Sequence, residues 1–291
     1  MAPTVDPALI KALGLDAATT KISPHGGSGF ASTFRLTATV NGEEVDYFVK
    51  TGSGSDSEVM FRGEHASLNA INSVVPSLCP KSLAHGPLSI PNQFFLATEF
   101  LDFSHSSGAG SGQSLAQKLA KLHTTPAPIP TGHTTPAFGF PVPTCCGATV
   151  QENSWQDSWA AFFGENRLRA ILLECKRKGE SDGALEDVVN NTIENVVPML
   201  LGEDRLKGVV PVVVHGDLWS GNHARGRIGG KGGVEEVVYD PSCVYGHSEY
   251  ELGIVKMFGG FGSGFWKEYE RLVPKGEPVE EWEDRLLLYE L

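Results

Sequence analysis

VVPVVVHGDLWSGN, residues 209–222, decides the fold. Its run of β-branched residues reads as a short buried strand, because branching at Cβ favours extended backbone and packs well in a sheet. The strand delivers His215-Gly216-Asp217 into a polar turn, and Asn222 follows Asp217 by five positions. Downstream, Val234 to Tyr239 reads as a second apolar strand that presents Asp240. A carboxylate at 217 can orient a substrate hydroxyl and accept its proton. Asn222 and Asp240 offer the hard oxygen ligands that Mg2+ takes on a nucleotide's phosphates. The same letters also suit a plainer arrangement, a polar turn with Asn222 as a cap and Asp240-Pro241 as another turn.

The spacing of Asp217 and Asn222 is that of the phosphoryl-transfer loop H-R-D-x-x-x-x-N. Upstream residues supply matching parts. Pro7 to Leu15 reads as a short amphipathic helix. Lys21 to Phe30, with Gly27, Ser28 and Gly29, is a Gly-rich turn whose backbone N–H groups can approach phosphates. It leads into an alternating strand from Thr33 to Val40, an Asn41-Gly42 hairpin turn and a return strand from Glu43 to Lys50. Ser55 to Glu58 predicts a capping box that opens a helix running to about Ile71. Glu64 shares a mostly apolar face of that helix with Met60, Leu68 and Ile71. An inward-facing acid wants a partner, and Lys50 at the strand end is the candidate. Gln93 to Leu101 reads as a buried strand that closes a five-stranded sheet. Its end, Glu99, Phe100 and Leu101, serves as a hinge where backbone groups can pair with an adenine edge.

Beyond the hinge the chain turns helical. Ser104 to Gly112 reads as a mobile connection, followed by helices at Ser114–His123, Asn153–Leu173, Ala184–Leu201 and Trp282–Leu291. His123 is expected to cap or pack, and Cys145 and Cys146 to be buried small hydrophobes. The 291 residues suffice for two lobes with real cores. A formal net charge of -12 argues against a nucleic-acid partner. Five cysteines without a Cys-x-x-Cys pair argue against a zinc site or a secreted disulfide framework. The N-terminus has no signal-peptide pattern and no apolar run is long enough to span a membrane, so the expected location is cytoplasmic.

With these pieces assembled, the chain resembles the fructosamine-3-kinase family, also called ketosamine or protein-ribulosamine 3-kinases. The resemblance covers nearly the whole chain. It rests on residues 215–222 (HGDLWSGN), 239–241 (YDP) and 245–252 (YGHSEYEL), with weaker support from Phe61-Arg62-Gly63-Glu64, residues 144–147 (TCCG) and 155–159 (WQDSW). It implies an α+β, protein-kinase-like two-lobe fold, with a small antiparallel-sheet lobe (1–101) that binds nucleotide and a mainly helical catalytic lobe (102–291). It implies ATP- and Mg2+-dependent phosphorylation of the sugar 3-hydroxyl of ribulosamine and fructosamine adducts on protein lysines, which leads to deglycation. By this resemblance Asp217 is the base and Asn222 and Asp240 hold Mg2+. Lys50 grips phosphates and Glu64 orients Lys50. Trp219 stacks on the sugar or its linker, and His247 and Glu249 line that pocket. Glycated proteins or glycated lysine would be the partners of a monomeric enzyme.

The chain departs from the family pattern in two places. Family members often carry a cysteine in the phosphate loop that can form a redox-sensitive dimer, but residues 23–31 contain none and His25 stands near that place. No such switch is expected. Members also usually run on past the Leu-Leu-Leu-Tyr stretch, whereas this chain stops at Leu291. A kinase of the aminoglycoside or choline type is the alternative, and a non-catalytic binding protein of the same fold is a third reading. Trp219 and His247-Ser248-Glu249 favour the ketosamine reading, and the complete set Lys50, Glu64, Asp217, Asn222 and Asp240 disfavours a non-catalytic one.

Overall fold

The computed structural model describes residues 4–27, 29–104, 112–180 and 182–291. Ser28 and residues 105–111, which make up most of the stretch expected to be mobile, lie outside them.

Asp6 caps helix α1 (Pro7–Leu13) by accepting the Ala8 amide at 2.8 Å, and Gly14 closes it in the left-handed conformation. Five antiparallel strands follow: β1 (Lys21–Pro24), β2 (Ser32–Val40), β3 (Glu43–Ser53), β4 (Ser82–Pro87) and β5 (Gln93–Glu99), in the order β1-β2-β3-β5-β4. Asn41 and Gly42 both have positive φ, 53° and 83°, the geometry of a two-residue hairpin turn, and this sets the Val40–Glu43 register. Helix α2 (Gly54–Val74) follows β3 directly. The expected capping box at Ser55–Glu58 is not formed. β3 runs on to Ser53, which becomes the cap position without a side-chain cap bond, and the Ser57 hydroxyl donates to the Ser53 carbonyl at 3.0 Å. The helix passes Ile71 and ends just before Val75, whose place ahead of Pro76 disfavours helical backbone.

The short strand β6 (Leu101–Asp102) leaves the sheet and pairs with β10 (His223–Ile228). Then come α3 (Leu115–Thr124), opened by a Ser114–Gln117 capping box, and the hairpin β7 (Thr144–Cys146) and β8 (Thr149–Gln151). The helix expected from Asn153 begins only at α4 (Trp159–Ala161), because Gln156 is tied to Phe138 in a β-bridge. It continues as a π-helical turn (Phe162–Arg169) into α5 (Ala170–Arg177). α6 (Gly183–Asn191) and α7 (Val197–Leu201) flank a second π-helical segment (Thr192–Val196), next to Pro198, which has no amide to donate. β9 (Val212–Val214), β10, β11 (Glu235–Val238) and β12 (Val244–Gly246) surround residues 215–222 and Asp240. Helices α8 (Ser248–Phe258), α9 (Ser263–Leu272) and α10 (Trp282–Tyr289) complete the fold.

A small core of Leu9, Leu36, Val49, Phe95 and Ala97 lies against the five-stranded sheet. The larger core joins β9, α3 and α8 to Leu68 and Ile71 of α2 and to Val75 just beyond it, so it reaches across the expected 101/102 boundary and ties α2 to the helical part. Among the described residues, no helix is long and apolar enough to cross a membrane.

Candidate active site

The fully buried strand β9 delivers His215 to the base of a cleft. Gly216 turns the chain with φ 77°, and a Cβ there would collide with the Ser242 carbonyl, so no other residue fits. Behind the turn, the buried carboxylate of Glu251 accepts the amides of His215 and Gly216. The His215 ring is held too: Nε2 donates to the Tyr239 carbonyl at 3.0 Å, and Nδ1 accepts the Asp217 amide at 3.3 Å. Burial lowers the His215 pKa and keeps the ring neutral, as this pairing requires.

The Asn222 side-chain amide donates to the Asp217 carbonyl at 2.8 Å and to its Oδ2 at 3.1 Å. Burial pushes the Asp217 carboxyl up to about 7; the Asn222 hydrogen bond opposes this, while the charges of Glu251 and Asp240 add to it. Such a carboxylate is a poised proton acceptor. Asp240 follows β11 with φ 56°, a left-handed conformation uncommon for residues other than glycine and best tolerated by asparagine and aspartate.

Lys50 joins the two halves. Its ammonium donates to both Glu64 oxygens at 2.8 and 2.9 Å and to Asp240 Oδ1 at 2.7 Å. Burial disfavours its charge, yet the two carboxylates hold its pKa above the ordinary lysine value. Glu64 is raised by burial, against the pull of Lys50. A cavity of about 350 Å³ opens here, lined by Gly27, Thr33, Lys50, Glu99, Leu101 and Asp240. A second, of about 460 Å³, shares Gly27, Lys50, Glu64 and Asp240 with it and adds Gly29, Asp217, Trp219 and Asn222. The two form one cleft, closed at one end by the hinge and at the other by the exposed Trp219 ring.

The donor set suits a hard cation. Asn222 points its amide nitrogen at Asp217, which leaves its oxygen for another partner, and Asp240 keeps a half-exposed carboxylate. Among the described residues, no three His, Cys, Asp or Glu side chains cluster to hold a metal unaided. A Mg2+ ion that takes most of its oxygens from phosphates and water would need only such a pair from the protein.

Some expected residues stand elsewhere. His247 and Glu249 do not line the cleft. His247 Nδ1 lies 3.0 Å from the Tyr289 hydroxyl, and burial depresses its pKa to about 4. Glu249 forms a buried pair with Arg285, at 2.7 and 3.1 Å, and also accepts the Gly276 amide. Both are pinned to α10 because the α8 start packs inward. Phe100 is buried with its ring 5.0 Å from that of His25, and its carbonyl accepts the Gly229 amide, so it backs the cavity without lining it. Cys145 and Cys146 are only partly buried, and Cys145 borders the cleft. Burial raises both thiols to about 11, so neither is a ready nucleophile. His123 packs, with Nδ1 2.7 Å from the Tyr269 hydroxyl.

Glu251 was within reach of the sequence. It sits next to Leu252 and one turn before Val255 on α8, the same acid-on-an-apolar-face signal that marks Glu64. Tyr239, whose hydroxyl donates to the Gly221 carbonyl at 2.9 Å, carried no such signal.

Fold and site together define a nucleotide-using phosphotransferase of protein-kinase-like architecture. The chain belongs to the fructosamine kinase family, whose model matches residues 1–291. It is 33% identical over 298 residues to the ketosamine-3-kinase of Mus musculus, with 95% of this chain and 89% of that one covered. It is also 33% identical over 272 residues to the chloroplastic protein-ribulosamine 3-kinase of Arabidopsis thaliana, covering 93% of this chain and 75% of that one. A crystal structure assigned as a fructosamine-3-kinase from Haemophilus somnus shares the fold at TM-score 0.72 and 24% identity, over 99% of this chain and 86% of that one.

Proposed function

We propose that this kinase uses ATP and Mg2+ to phosphorylate the sugar 3-hydroxyl of ketosamines, the ribulosamine and fructosamine adducts of protein lysines. The observation that carries the reading is Asp217, oriented by Asn222, in one cleft with the Lys50–Glu64–Asp240 set and bordered by the exposed Trp219. The naming of the relatives points to the same acceptor class.

In this mechanism the Glu99–Leu101 backbone meets the adenine edge, while Gly27 and Gly29 cover the phosphates. Lys50, steered by Glu64, binds phosphate oxygens. Asn222 and Asp240 would hold Mg2+, which when bound neutralises developing charge on the transferring phosphoryl group. Asp217 accepts a hydrogen bond from the 3-hydroxyl, orients its oxygen toward the γ-phosphorus and takes the proton as the new P–O bond forms and ADP leaves. The Trp219 ring flanks the sugar. The 3-phosphate then makes the adduct unstable, and the lysine amine is released. We place this activity in the cytoplasm, in a monomer. The five free cysteines suit a reducing compartment.

The test is Mg-ATP turnover on ribuloselysine, fructoselysine, choline and an aminoglycoside, with Asp217→Ala as control. Turnover of either ketosamine, lost in the variant, supports the reading. Turnover of only the last two acceptors would replace it with the small-molecule alternative.

A further inference from the structure

Trp219 is not alone at the rim of the cleft. The residue is 40% exposed and its ring lies 6.0 Å from the ring of Phe258 at an interplanar angle of 50°; Phe258 is itself 59% exposed. Contiguous exposed apolar surface at the rim of a cleft is a mark of a ligand-binding groove.

The pair is built from two segments nearly forty residues apart and is fixed on both sides. A Cβ at Gly221 would strike the Trp219 ring, so the ring lies flat on the catalytic turn and shows one face outward. The chain beyond Phe258 turns through Gly259 and Gly260, with φ 63° and 90°. Gly260 is pressed so closely on Ser220 that a side chain there would meet Ser220 Cβ at 2.5 Å. Phe258 is thereby held against the turn that carries Asp217. The two tilted rings form an open apolar notch beside the acceptor end of the cleft.

We infer that Phe258 is a specificity-determining residue and that, with Trp219, it holds the aliphatic arm of the glycated lysine. This rests on the ketosamine reading. In a ketosamine the amine is on C1, two carbons from the reacting 3-hydroxyl, and the lysine arm continues from it as four methylenes. With the 3-hydroxyl at Asp217 and the sugar beside Trp219, the arm leaves over the rim where Phe258 stands. The notch removes the methylenes from water, and the ring faces attract the secondary ammonium at the head of the arm. Adducts whose amine lacks such an arm keep the ammonium but lose the burial of the methylenes.

The experiment compares kcat and KM for fructose adducts of the lysine ε-amine and of methylamine, in the native protein and in Phe258→Ala and Phe258→Leu. The native protein is expected to favour the lysine adduct by about tenfold in kcat/KM, carried by KM, in line with the discrimination apolar pockets achieve. Phe258→Ala should erase most of that preference and Phe258→Leu should keep most of it. All three proteins are checked by thermal melting, and Phe258→Leu guards against a folding defect. A preference that survives Phe258→Ala, or is absent from the native protein, overturns the inference while leaving the ketosamine reading in place. Turnover of neither adduct overturns both.

Discussion

Glu251 accepts the amide of Gly216 at 3.0 Å, with the His215 amide beside it, across 35 residues of sequence. A helix carboxylate therefore fixes the backbone from which the candidate base projects. Glu251→Leu would leave two buried N–H groups unpaired, at a cost of about 3 kcal/mol, whereas Glu251→Gln keeps one acceptor oxygen and should lose less. Urea unfolding checks the order. Equal midpoints for the two variants would remove the bracing role.

Asp217 gives a pH signature. Folding raises its carboxyl from the ordinary aspartate value to about 7. Between those values the folded protein binds more protons than the unfolded chain, so this group withdraws stability as pH rises through the window. Asp217→Asn should therefore stabilise the nucleotide-free protein at pH 8 by about 1–2 kcal/mol, allowing for partial exposure, and the gain should vanish below about pH 4. The same variant should lose turnover by about 10²- to 10⁴-fold. Thermal melts at the two pH values decide, and identical melting of both proteins at pH 8 would contradict the raised carboxyl.

Lys50→Met separates grip from scaffold. Glu64 loses its cation, but burial already favours its protonated form, so neutralisation limits the damage. The protein should stay folded while the KM for ATP rises roughly tenfold or more. Circular dichroism with ATP titration reads both, and an unfolded variant would mark a structural lysine instead.

The Glu249–Arg285 pair predicts the opposite pattern. Arg285 is fully buried and also donates to the carbonyls of Gly276 and Pro278 at 2.7 and 3.0 Å. Arg285→Met should cost about 3–5 kcal/mol by stranding a buried carboxylate. The acceptor KM of the protein that remains folded should not move. A raised acceptor KM at unchanged stability would restore Glu249 to the substrate pocket.

The parts of the fold legible in the sequence were those whose signal is local. Alternation in β2, the Asn41-Gly42 turn and the β-branched run of β9 each follow from short-range geometry. Lys50 and Glu64 were paired correctly because a charge on an apolar helix face demands a partner. That rule did not reveal that Lys50 also reaches Asp240, 190 residues away, since nothing local records a contact across the cleft. His247 and Glu249 were misplaced for a related reason. A polar motif soon after Asp240 looks the same whether its side chains face a substrate or a buried arginine, and Arg285 lies 36 residues beyond Glu249.

Helix α8 acts as a spacer with a fixed length. Near one end it carries the brace for the catalytic turn and at the other the aromatic edge of the rim. Glu251 and Phe258 are separated by seven residues, which sets them roughly 10 Å apart along the axis. One residue inserted between them would swing Phe258 by ~100° around the helix and turn its ring away from Trp219, with every catalytic side chain still in place. On the proposed reading, the reach from the reacting oxygen to the far part of the acceptor is set by the number of residues in one helix.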